Sequence, residues 1–161
     1  MFHRLRAVYP LPDLKLCAVF REGVTKIYDV KPLLEKWEVF KELKDEDLFD
    51  SVYVDLGGYG IIWNDRIDLS SDSIWEKGET VKTPFDNLMS FSDATTLWGL
   101  HESTLRKAVV YGKLVGGVDV CKFGKQWVVT TEAMYREYGE PLKGSSLCLE
   151  QGRRRSSHPI P

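Results

Sequence analysis

Nine polar residues in the second half of the chain have the types and spacing to hold a nucleic acid. His101, Ser103 and Thr104 open an apolar-periodic run, and Arg106 and Lys107 continue it. Helix N-termini favour anions, and Ser and Thr hydroxyls hydrogen-bond phosphates or base edges. The Arg106 guanidinium matches the guanine edge bidentately. Lys107, Lys113 and Lys125 offer charge to backbone phosphates, which adds affinity without reading sequence. Lys122, Lys125 and Gln126 stand on an expected hairpin that reaches an adjacent groove. The plainer alternative is a helix packed on a partner protein with its charges solvated. DNA is favoured because these polar residues fall off the apolar face.

Other clusters carry less. The glycines at 57, 58 and 60 lack the Lys of a phosphate loop and do not lead into a helix, so a hairpin turn is expected. Asp45, Glu46, Asp47 and Asp50 have neither a His partner nor EF-hand spacing, and read as a solvated acidic segment. His101 has no nucleophile placed to use it. Cys17, Cys121 and Cys148 are scattered singly, as are His3, His101 and His158, so no zinc or redox spacing exists. No catalytic residue, metal site or cofactor is expected.

The elements that must position the DNA set follow from periodicity. Ser90 stands three residues before Asp93, a capping-box-like start, and Ala94, Leu97 and Trp98 follow at helical spacing. Gly99 interrupts. Leu105, Ala108 and Val109 then give one apolar helix face, with Gly112 as its stop. Two short helices around a Gly turn make a helix-turn-helix. The stretches 118–123 and 126–129, joined by Gly124-Lys125, read as a β-hairpin. Thr130 or Thr131 caps a last helix over 132–138.

The first half reads as short strands with turns. Leu14, Leu16, Ala18 and Phe20 alternate, and Gly23 turns the chain into a returning strand over 24–28. Asp29 before Lys31-Pro32 suits a short helix start, and Trp37, Phe40 and Leu43 recur at three. Asp45 is placed to cap a further turn ending at Leu48-Phe49. Val52 and Val54 begin a third strand, and Ile61-Ile62-Trp63 a fourth. The residues at 79–83 before Pro84 read as a connector. The expected organisation is an α+β chain. A small antiparallel β-rich domain with short helices covers 1–82, a winged helix-turn-helix domain covers 86–142, and a disordered basic tail covers 143–161.

Charge supports the division. The 161 residues carry a formal net charge of −2, made of 22 basic and 24 acidic side chains. Residues 1–84 hold 12 basic and 16 acidic residues, 85–144 seven of each, and 145–161 three and one. Apolar content of 43% suffices for a buried core and excludes a disordered chain. No apolar run approaches a membrane span, so a cytoplasmic protein is expected.

Two resemblances follow from these residues. Ser90 with Asp93-Ala94, the turn Gly99-Leu100, the run Ser103-Thr104-Leu105-Arg106-Lys107-Ala108, Gly112-Lys113-Leu114 and Phe123-Gly124-Lys125-Gln126-Trp127 together resemble small winged helix-turn-helix domains of the excisionase and MerR-like type. His101 departs from that pattern, where a small hydroxyl cap is usual. So does Asp119, an acid on the approach to the wing. The second resemblance, over 5–78, rests on the strand at 14–20, Gly23, Asp29 with Pro32-Leu33-Leu34, Leu48-Phe49, Gly60, Ile62-Trp63, Asp68-Leu69, and Ile74-Trp75 with Gly78. This segment resembles a small bacterial domain family of unknown function associated with toxin–antitoxin-like operons. That family supplies no catalytic residues. The resemblances imply a DNA-binding transcriptional regulator, antitoxin-like and autoregulating, acting by operator occupancy and not as an enzyme. Four or five phosphate contacts per copy imply a homodimer on a two-fold site. The alternative is an adaptor that neutralises a toxin-like protein partner through the acidic first domain. An exposed Trp37 would mark such a partner site.

Overall fold

The structure, a computed structural model, describes residues 3–142; the expected basic tail lies outside the described residues. The chain divides into two compact units between Pro84 and Phe85.

The first unit is built on a four-stranded antiparallel sheet, order β1-β2-β3-β7, from β1 (Leu5–Leu11), β2 (Lys15–Phe20), β3 (Thr25–Asp29) and β7 (Glu79–Val81). Alternation decides its faces. Leu16, Ala18 and Phe20 on β2 and Tyr28 on β3 are buried together, whereas Cys17, Val19 and Ile27 point to the other, half-buried face. Gly23 turns β2 into β3 at a φ of 88°, where a side chain would be strained. Three short helical pieces follow: α1 (Lys31–Lys36), a 3-10 segment (Glu38–Lys44) and α2 (Glu46–Asp50). The strict spacing of Trp37, Phe40 and Leu43 is the period of a 3-10 helix, and Phe40 and Leu43 are buried. Asp45 caps α2, its carboxylate accepting the Asp47 N–H. Asp29 is not the cap of α1: Val30 occupies that position without a side-chain bond, and Asp29 Oδ1 accepts the Lys31 N–H at 3.0 Å.

A second, three-stranded sheet, β4 (Tyr53–Val54), β5 (Gly60–Ile62) and β6 (Asp68–Ser70), leads into α3 (Ser71–Lys77). The core joins both sheets and the helices through Leu5, Phe20, Leu43, Ile61, Ile67 and Ile74, among others. The residues at 79–81 are not a connector: they form β7, paired antiparallel with β3 at the sheet edge.

The second unit interleaves strands and helices: β8 (Leu88–Ser90), α4 (Phe91–Trp98), α5 (Glu102–Val110), β9 (Val120–Phe123), β10 (Gln126–Thr130) and α6 (Thr131–Tyr138). Its sheet has the order β8-β10-β9, so β10 is central. Two strands run directly into helices through a hydroxyl cap. Ser90 Oγ accepts the Asp93 N–H at 3.0 Å, and Thr130 Oγ1 accepts the Ala133 N–H at 3.1 Å. Met89, Phe91, Ala94, Leu105, Leu114, Val129 and Met134 form the core. The whole is α+β, the class expected from the sequence.

Candidate nucleic-acid interface

The turn between α4 and α5 is fixed by backbone chemistry. Gly99 ends α4 in the left-handed region, φ 67° and ψ 37°, and its N–H reaches the Thr95 carbonyl. The Leu100 N–H reaches the same carbonyl at 3.0 Å. Later residues brace this corner: Trp98 Nε1 donates to the Gly139 carbonyl at 2.9 Å, and the Leu142 N–H donates to the Leu97 carbonyl at 2.9 Å. Trp98 and Tyr135 meet edge to face. The helix that follows packs against α4, whose C-terminal end these bonds fix.

Leu105 and Ala108 bury one face of α5, and Val109 packs beside them. The opposite face presents Ser103, Arg106 and Lys107, all exposed. Thr104 is half-buried at the side of the helix. His101 is the exposed N-cap residue, with no side-chain cap bond; its carbonyl accepts the Thr104 N–H. Glu102 lies 3.9 Å from Arg106, one turn away. Of the nine expected residues, α5 thus gathers Ser103, Arg106 and Lys107 on one face. Lys113, after the helix, places its ammonium over the Tyr138 ring of α6 at 4.6 Å.

The wing holds the remaining three. β9 and β10 pair antiparallel, with Phe123 opposite Gln126 and Lys122 opposite Trp127. The loop is the two residues Gly124-Lys125, with positive φ (60°) at Gly124 alone, the sign pattern of a type II′ turn. Lys125 therefore sits at the hairpin tip. Lys122 lies over the Trp127 ring at 5.7 Å, and Trp127 stacks on Phe91 of α4, which anchors the wing base in the core.

Charge is segregated within this unit. Residues 101–130 carry five cations, Arg106, Lys107, Lys113, Lys122 and Lys125, against two acids, Glu102 and Asp119. Asp119 is 4% exposed and is consumed internally. Arg136 of α6 grips both its oxygens, and Oδ2 also accepts the Val115 N–H at 2.8 Å. The guanidinium, with the Val115 N–H, holds the Asp119 carboxyl below the ordinary carboxylate range. The balanced total of the segment hides a positive face on α5 and the wing.

Residues 80–143 match the family model of a helix-turn-helix domain, and residues 5–80 match that of a protein of unknown function, DUF2442. The chain is a DUF2442 domain followed by a helix-turn-helix domain. Comparison with curated proteins and with solved structures gave no significant match. The two-part architecture is the one the sequence resemblance implies.

The DUF2442 domain exposes several large apolar side chains. Trp37 is 54% exposed, and Tyr53, Leu56 and Tyr59 crowd the β4–β5 connection with Leu56 fully exposed. Burial pushes the Cys17 thiol up, away from the thiolate a nucleophile requires. The acidic segment lines an open hollow of about 540 Å³ with Pro10, Asp13, Lys44, Glu46 and Asp50. Among the described residues, no helix is long and apolar enough to cross a membrane.

The helix-turn-helix domain depends on two residues to which sequence reasoning gave no role in the site, Asp119 and Arg136. Seventeen residues separate them, so no local pattern pairs them. The available signal was an acid set among the cations of the wing.

Proposed function

We propose that this protein is a DNA-binding transcriptional regulator that acts by occupying an operator, without bond chemistry. One observation carries the reading. α5 of the helix-turn-helix domain turns Ser103, Arg106 and Lys107 to solvent on the face opposite Leu105 and Ala108. In this reading α5 enters the major groove, Arg106 takes a guanine edge, and Lys107, Lys113 and Lys125 meet phosphates. The wing tip reaches the neighbouring backbone or groove. The His101 ring, free of capping duty, is available to a phosphate at the helix start.

The DUF2442 domain serves as the contact domain, supported by the exposed Trp37 and by the apolar tip around Leu56. A homodimer presents two recognition helices to a two-fold site, and operon autoregulation with a toxin-like partner fits this arrangement. An adaptor that neutralises its partner without specific DNA binding is the second reading, favoured by the same exposed residues.

The test is electrophoretic retardation with duplexes selected from a random pool. Arg106→Ala combined with Lys107→Ala abolishes retardation while leaving the circular dichroism spectrum unchanged. Unchanged retardation at matched salt refutes DNA binding through α5. Light scattering at micromolar concentration addresses the dimer, and a monomeric mass counts against it.

A further inference from the structure

Val110 stands 80% exposed at the last turn of α5, a β-branched apolar side chain where a helix gains nothing from it. Its angular position is specific. At 100° per residue, Ser103, Arg106, Lys107 and Val110 fall within an arc of about 100°, with Val110 near the middle. That arc lies opposite the buried Leu105 and Ala108. Val109, the preceding residue, packs against the core. The middle of the exposed face is therefore shared by Ser103 at its start and Val110 at its end, flanked by two cations.

A duplex supplies the complement. Lys107 matches a phosphate at the side of a major groove, and Arg106 a guanine edge within it. Inside the groove the one apolar feature on a base edge is the C5-methyl of thymine, which small aliphatic side chains contact. We infer that Val110 is a specificity residue that reads a thymine methyl in the operator, beside the base taken by Arg106. The two residues are one turn apart, about 6 Å along the helix, so the thymine lies within about two base steps of the guanine. This inference rests on the DNA-binding reading. It adds a base preference that the charged residues alone do not give. Glu102, 3.9 Å from Arg106, lies about 40° outside the arc and so does not cover Val110.

The experiment uses the full chain and its own selected duplex. Each thymine is replaced in turn by deoxyuridine, which removes only the methyl group. The wild type loses about fourfold in affinity at one thymine per half-site, the equivalent of burying one methyl at about 0.8 kcal/mol. Val110→Ala binds the unmodified duplex about fourfold more weakly and is indifferent to deoxyuridine at that position. Because Val110 is exposed, the variant keeps the fold, which its melting curve verifies. Methyl-insensitive binding by the wild type overturns the inference, and so does equal methyl sensitivity in Val110→Ala. Both results leave DNA binding standing. A chain that selects no DNA at any salt overturns the DNA-binding reading and this inference with it.

Discussion

Arg136 holds Asp119 through two parallel hydrogen bonds, Nη1 to Oδ1 at 3.1 Å and Nη2 to Oδ2 at 2.8 Å, and so ties the approach to the wing onto α6. The same guanidinium donates through Nε to Glu137 at 2.7 Å. Bidentate geometry fixes direction as well as distance, so the loop before β9 is positioned from the far end of the unit.

Asp119→Asn destabilises the helix-turn-helix domain by about 1–3 kcal/mol, the usual worth of a charged hydrogen bond with a buried partner. The pH dependence has a defined sign. The carboxyl of the folded protein titrates below its unfolded value near 3.9, so its contribution is present above that value and is lost as pH falls through the folded pKa. Urea melts between about pH 2 and pH 6 show an acid limb in the wild type that is flattened in Asp119→Asn. An identical acid limb in both proteins contradicts this role.

Gly99→Ala and Gly112→Ala separate backbone strain from crowding. Both glycines have positive φ, 67° and 81°, which costs an L-residue about 1–2 kcal/mol. A Cβ at Gly99 also meets Leu142 Cδ1 at 2.9 Å, whereas among the described residues one at Gly112 meets nothing within 4 Å. Thermal melts place Gly99→Ala below Gly112→Ala, and both below the wild type. DNA affinity of the folded fraction falls further for Gly99→Ala, because the turn aims α5.

Ser71 is fully buried, and among the described residues its hydroxyl has no hydrogen-bond partner. Removing a buried unsatisfied hydroxyl relieves its desolvation cost, so Ser71→Ala leaves stability unchanged or raises it by up to about 1 kcal/mol. Chemical denaturation reads this directly. A loss of stability would mean that the hydroxyl is satisfied in solution.

Lys125 at the wing tip tests whether the hairpin touches the backbone. Lys125→Ala weakens binding to all selected duplexes alike and lowers the slope of log affinity against log salt by about 0.9. Base preference is unchanged. A shifted consensus would instead assign Lys125 to a base edge.

The helix-turn-helix was legible because its signals are local. Ser90 with Asp93, Gly99, and the apolar trio Leu105, Ala108 and Val109 lie within twenty residues and obey one period. A helical turn was legible in the same way, through Trp37, Phe40 and Leu43, and it takes the 3-10 form. β1 was not, because Ala7, Val8, Pro10 and Leu11 break the alternation of a half-buried strand. Pro10 is tolerated there since β1 is a sheet edge, which only the topology reveals. β7 and β8 are three residues each, too short to show a period, and exist by pairing with distant strands. Asp119 looked like a misplaced acid because its partner is on another element.

β7 also sets an order of events during synthesis. It completes the four-stranded sheet, and its last residue is Val81. When Val81 is added, every strand that the first unit needs has been made, while β10, on which the second unit's sheet depends, is still some forty-five residues from being made. The first unit can close on a nascent chain that does not yet possess the sheet of the helix-turn-helix domain. Folding of the first unit thus precedes completion of the second, and the helix-turn-helix domain is born already tethered to a folded neighbour.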